Sequence, residues 1–74
     1  ASLKADVIVA NIVADIIIKL TPQVKKHLKE KGLFICSGII DKRKEDVLNI
    51  LAKYNFAVQE ILEKDGWVAI VVQA

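Results

Sequence analysis

Asn11 is the residue best placed to do chemistry. It follows a nearly uninterrupted apolar run, Ala5-Asp6-Val7-Ile8-Val9-Ala10, and a helical pattern starts behind it at Ala14. A strand apolar on both faces belongs inside a parallel sheet, covered above and below. Open α/β sheets bind their ligands outside the carboxyl ends of such strands, so a polar side chain at that end marks a site. Asn is also a preferred helix N-cap, and on the residues alone capping is the first reading. Ser37 and Gly38, at the end of a second apolar run, face the same rim. They suit a tight turn into Asp41, with contact to a substrate as the lesser reading.

The other reactive residue types read as structural. His27 sits among lysines at the end of a helical pattern, where the helix dipole favours cations. Cys36 lies within an apolar strand and reads as a small buried hydrophobe; no helix N-terminus or fixed cation is in view to activate it. Trp67 directly follows a turn signal and is expected to anchor packing. One histidine, one cysteine and scattered carboxylates lack metal-ligand spacing, so no metal site is expected. A Ser-His-Asp triad has no spatial support.

The elements that must position these residues follow from periodicity. Asp6–Ile12 is the first strand. The pattern Ala14–Lys31 places Ile17, Leu20, Val24 and Leu28 at helical spacing, as one kinked helix or two short ones split at Thr21-Pro22. Gly32 is the expected left-handed stop. Leu33–Ile40 is the second strand, and Asp41 caps a helix over Lys42–Tyr54 that ends at Asn55. Phe56–Glu63, an Asp65-Gly66 hairpin turn and Trp67–Gln73 complete the order β-α-β-α-β-β.

Topology rules turn this order into a sheet. Right-handed crossovers stepping in one direction put both helices on one face. The third strand carries Glu60 and Glu63 and suits an outer edge, where charge discourages edge-to-edge pairing. The apolar fourth strand then fits between the second and third. The predicted order is first-second-fourth-third, with only the fourth antiparallel. This leaves a core-like first strand as an unpaired edge and one apolar sheet face without helices.

Composition agrees with that imbalance. The chain has 74 residues and is 54% hydrophobic, more apolar than a small independent domain needs. A net charge of +2, with lysines and glutamates mixed on helical patterns, gives no case for nucleic-acid binding. A single cysteine fits a reducing compartment. No apolar stretch reaches the roughly 18 residues that span a membrane, and no signal-peptide layout is present, so a cytoplasmic protein is expected.

Four segments carry a resemblance. They are Ala5-Asp6-Val7-Ile8-Val9-Ala10-Asn11-Ile12-Val13-Ala14-Asp15, Leu28-Lys29-Glu30-Lys31-Gly32, Ser37-Gly38-Ile39-Ile40 and Asp65-Gly66-Trp67-Val68-Ala69. In this order and spacing they resemble the C-terminal half of the bacterial methyltransferases that modify ribosomal protein L11, across essentially the whole chain. The resemblance implies an S-adenosylmethionine-dependent, Rossmann-like sheet of seven strands, the last antiparallel and inserted beside the edge. This chain supplies the final four, so residues 1–74 are expected to form part of one catalytic domain.

The resemblance further implies methyl transfer to protein amino groups without a metal, with a ribosomal protein as partner substrate. It makes Asn11 the catalytic candidate, its amide or backbone oxygen accepting a hydrogen bond from the substrate nitrogen. Ile12 and Val13 form the apolar wall and backbone of the same loop. The chain departs from the family in having no Gly-rich loop after a first strand and no acidic residue placed for the cofactor ribose. Cofactor binding and catalysis are therefore expected to need the N-terminal half of the domain. The alternative is a small assembly module that forms a homodimer through its first strand or its uncovered face.

Overall fold

A computed structural model of the chain describes residues 4–74. The elements run β1 (Ala5–Asn11), α1 (Ala14–His27), β2 (Leu28–Ile40), a 3-10 turn (Asp41–Arg43), α2 (Lys44–Lys53), β3 (Ala57–Lys64) and β4 (Trp67–Gln73). They form one four-stranded sheet in the order β1-β2-β4-β3. β1 pairs with β2 in parallel, and β4 runs antiparallel to both β2 and β3. The predicted order and the single reversed strand are both found.

Alternation along the strands sorts the core onto one face. Phe34, Cys36 and Ile39 of β2 and Val68, Ile70 and Val72 of β4 are buried. Against them α1 presents Ala14, Ile17, Thr21 and Val24, a three-four-three spacing, while α2 presents Val47 and Leu51. Thr21 is the one buried polar residue in the described chain, and its hydroxyl donates to the Ile17 carbonyl at 2.7 Å. That bond removes the cost of an unpaired buried hydroxyl. α1 runs continuously through Pro22, so the single-helix alternative is the one realised.

Among the described residues no helix covers the opposite sheet face. Val7 and Val9 of β1 are 49% and 65% exposed, and their neighbours Leu33, Ile35, Ala69 and Val71 are only partly covered. β1 has no partner on its outer side among the described residues. β3, the other edge, is exposed along its whole length and carries Glu60, Glu63 and Lys64. Charge protects the β3 edge along its length, whereas β1 carries a single charge, Asp6, near its start and is apolar from Val7 to Ala10.

Three local expectations need correction. The first helix stops at His27, because Leu28 must turn extended to enter the core at 3% exposure and to pair with Ala5. Tertiary burial overrides the helical period there. The left-handed residue is Lys31, with φ 64°, and Gly32 serves differently. A Cβ on Gly32 would lie 2.8 Å from both the Leu28 Cγ and the Lys29 carbonyl oxygen. Asp41 makes no side-chain cap; its amide instead donates to the Gly66 carbonyl at 2.9 Å, and a 3-10 turn precedes α2. The stop at Asn55 is found at φ 63°, as is the Asp65-Gly66 turn at φ 50° and 80°.

Cys36 is fully buried, and desolvation pushes its thiol up to about 11 from 9.0. Since only the thiolate reacts and the sulfur is inaccessible, native Cys36 should be modified by an aromatic disulfide reagent far more slowly than in urea. The folded chain holds this proton to higher pH than the unfolded one. The thiol's contribution to stability is therefore intact below pH 9.0 and lost as pH rises from there toward about 11. Equal labelling rates with and without urea would contradict the burial.

Candidate functional site

The carboxyl ends of β1 and β2 meet the N-terminus of α1 at one rim. Asn11 pairs in register with Ser37, and the Ile12 amide donates to the Ser37 carbonyl at 3.2 Å. The β2–β4 ladder is irregular between Cys36 and Ile39, so Ser37 and Gly38 leave the regular pairing at this point. Bulges of this kind gather next to functional sites, where they re-aim a side chain or end a ladder. Gly38 has φ 78°, and a Cβ there would fall 2.6 Å from the Asn11 Oδ1. The Asn11 carboxamide thus lies directly against the bare Cα of Gly38.

Capping, the alternative reading of Asn11, is not realised. The N-cap of α1 is Val13, extended at φ −64° and ψ 154°, with no side-chain cap bond. The Asn11 side chain is exposed, and among the described residues it makes no hydrogen bond that would explain it structurally. A carboxamide held against the backbone with its polar atoms free is available to a ligand.

Beside it opens a mostly apolar cavity of about 140 Å³. Val13 and Ala14 at the start of α1, Gly38 and Ile40 at the end of β2, and Trp67 form its walls, with Asp15 and Arg43 closing one side. Of the residues singled out in sequence, Asn11, Val13 and Gly38 therefore come together. Ile12 does not line the cavity; its side chain is partly buried against the core. Its amide serves the Ser37 carbonyl. His27 lies outside the site, at the end of α1. Among the described residues no His, Cys, Asp and Glu side chains gather in a group able to hold a metal ion.

Trp67 departs from its expected role as a packing anchor. Its side chain is 56% exposed and forms part of the cavity wall. The bond from the Asp41 amide to the Gly66 carbonyl fixes the β3–β4 hairpin at this end of the sheet, which sets Trp67 beside Ile40. A tryptophan at the first position of a strand whose inward residues are Val68, Ile70 and Val72 must face the other way. That alternation was the available signal.

Arg43 and Asp15 were missed. The sole arginine of the sequence reaches Asp15 with Nη2 at 2.7 Å and Asp46 with Nε at 2.8 Å. It ties the first turn of α1 to the first turn of α2, beside the cavity. The hydrogen bond from Arg43, followed by its charge, holds the Asp15 carboxyl below 3.8, and the same partner raises the guanidinium. A carboxylate with a lowered value stabilises the fold above its unfolded value and ceases to do so as pH falls through the folded one. Replacing Arg43 with alanine should return the Asp15 titration to about 3.8, as read by carboxyl NMR. No movement would mean that the pair does not persist in solution.

Two sets of known proteins resemble this arrangement. A precorrin-6y C5,15-methyltransferase from Geobacter metallireducens superposes with a TM-score of 0.72 over 96% of the chain, at 12% identity. That likeness shows the class of fold: a Rossmann-like sheet. The match to one family is far closer. The chain belongs to the ribosomal protein L11 methyltransferase family, whose model matches residues 1–74.

A ribosomal protein L11 methyltransferase from Thermoanaerobacter pseudethanolicus is 56% identical over 68 residues, 92% of this chain and 22% of that protein. One from Dictyoglomus thermophilum is 46% identical, the match covering 92% of this chain and 23% of that protein. The crystal structure of a ribosomal protein L11 methylase from Lactobacillus delbrueckii subsp. bulgaricus superposes with a TM-score of 0.90 at 35% identity. That alignment covers 93% of this chain and 36% of the other. The chain thus spans less than a quarter of the length of the two curated relatives.

Proposed function

We propose that this stretch is the substrate-facing part of the catalytic domain of an S-adenosylmethionine-dependent methyltransferase acting on amino groups of ribosomal protein L11. One observation carries the reading. An asparagine carboxamide without a structural partner sits at the carboxyl-end rim, beside an apolar cavity. Val13, Ile40 and Trp67 suit the methylene stem of an amine-bearing side chain, because such stems cover apolar surface while their nitrogen stays at a polar site. The Asn11 carboxamide, seated against the cavity wall at Gly38, is the hydrogen-bond acceptor for that nitrogen. An acceptor there fixes where the lone pair points, and positioning is a large share of what a protein contributes to a displacement. No helix among the described residues is long and apolar enough to cross a membrane, and the reading places the protein in the cytoplasm with its substrate.

The residues present do not by themselves fit S-adenosylmethionine. The cavity of about 140 Å³ is well below the roughly 300 Å³ at which small-molecule sites begin, and it carries no Gly-rich phosphate-type loop. The free edge of β1 and the uncovered sheet face adjoin this rim and are the surfaces on which the rest of a cofactor site would be built. We assign them to the remainder of the domain rather than to a second copy. The Lactobacillus structure, in which a closely similar unit makes up 36% of a longer chain, supports that choice.

The test is a graft. This chain replaces the matching stretch of the Thermoanaerobacter pseudethanolicus enzyme, and methyl transfer to ribosomal protein L11 is measured. Activity is expected in the chimera, while the isolated chain shows no heat of binding on titration with S-adenosylmethionine. A folded but inactive chimera, or micromolar binding by the isolated chain, would overturn the reading.

A further inference from the structure

From the contact between β2 and the end of β1, we infer that Gly38 is a positioning residue for the Asn11 carboxamide. The inference rests on the substrate-positioning role proposed for Asn11 and deepens it.

Gly38 meets two separate demands. Its φ of 78° is left-handed, which by itself favours glycine. The second demand is spatial. A Cβ at this position would lie 2.6 Å from the Asn11 Oδ1 and 3.2 Å from both the amide nitrogen and the carbonyl oxygen of Ile12. The nearest of these atoms is the side-chain oxygen, and real Cβ atoms do not come that close to anything. The space that a methyl group would fill is the space the carboxamide occupies.

Gly66 separates the two demands. It has nearly the same φ, 80°, yet a Cβ there meets nothing within 4 Å. Backbone strain alone therefore predicts similar penalties for alanine at the two sites. The carboxamide contact predicts an extra effect at Gly38 only. Asn11 is otherwise unrestrained, with no hydrogen bond to its side chain among the described residues. The bare Cα of Gly38 is the neighbour that leaves room for the carboxamide in its present position. The bulge between Cys36 and Ile39 delivers that surface to the end of β1, so the irregularity in the ladder has a job at the rim.

The experiment uses the 74-residue chain as Gly38→Ala, Gly66→Ala, Asn11→Ala and the Gly38→Ala/Asn11→Ala double variant, each followed by thermal melting and by NMR of the Asn11 side-chain amide where that residue is retained. The contacts to Ile12 persist in both backgrounds and cancel in the cycle. Gly38→Ala should lower the melting temperature by at least about 1 °C beyond its effect in the Asn11→Ala background, a modest coupling because the exposed carboxamide can swing aside. It should also move the Asn11 amide resonances, which Gly66→Ala leaves in place. In the grafted enzyme, Gly38→Ala should cut kcat about tenfold or more with little change in KM, and add no further loss once Asn11 has been replaced by alanine.

Additive melting effects, or an Asn11 amide indifferent to Gly38→Ala, would overturn the inference. If Gly38→Ala does not fold, regained folding in the double variant supports the contact, and continued failure overturns it. Thermal coupling with an unchanged kcat in Asn11→Ala keeps the contact and overturns the role given to Asn11.

Discussion

Asn11→Ala in the grafted enzyme is expected to lower kcat for methylation of ribosomal protein L11 about a hundredfold, with KM changed by less than about threefold. The split follows from where the side chain stands. In the proposed reading the cavity walls at Val13, Ile40 and Trp67 hold the substrate side chain and set affinity, and the substitution alters none of them. What is lost is the Asn11 carboxamide acceptor at the rim, so the amine still enters but its nitrogen is no longer aimed. Misplacement by about 1 Å can cost on the order of 10²-fold in rate. The folded state should hardly notice the change. Asn11 is exposed, caps no helix and bonds to no described residue through its side chain, so its removal leaves no unpaired buried group. Asn11→Asp, which keeps an acceptor oxygen, should recover part of the rate. A kcat within twofold of the parent in Asn11→Ala would remove Asn11 from the site.

Most of the sheet was legible because its signals are local and redundant. Alternation in β4, the Asp65-Gly66 turn and the glutamates of β3 each fix a neighbour, and together they leave one strand order. The misread details share a cause. Leu28 continues a helical period on paper, yet the core requires it in an extended segment beside Ala5. Asn11 has a cap's composition, but Val13 occupies the cap position because Ile12 is already committed to Ser37. Both outcomes depend on strand register, which single-residue preference does not contain.

The site was half legible for a related reason. Asn11 announces itself as a polar end to an apolar run, and Val13 follows from the chain leaving that strand. Arg43 and Asp15 stand 28 positions apart and meet only because α1 and α2 lie side by side on one face. Trp67 reaches the rim through a hairpin pinned by a backbone bond. Charge and aromatic content give the residue types; the topology decides which of them become neighbours.

Phe34→Ala is expected to be the most damaging substitution to the chain's stability, costing about 3–5 kcal/mol. Phe34 is the largest fully buried side chain and sits on β2, between Ile8 of β1 and Val72 of β4. Its ring centroid lies 6.0 Å from that of Phe56, inclined by 46°, a tilted aromatic contact that alanine also removes. A domain of this length has roughly 4–11 kcal/mol to lose, so the variant should melt well below the parent chain by circular dichroism. Val9→Ala provides the contrast. Val9 is equally apolar and on the adjacent strand, but it is 65% exposed on the uncovered face. In the isolated chain its removal should cost no more than about 0.5 kcal/mol. In the grafted enzyme the same change should cost about 1–3 kcal/mol, since the rest of the domain would then bury that face. A small cost in both settings would mean that this face stays open, and its assignment to the remainder of the domain would fail.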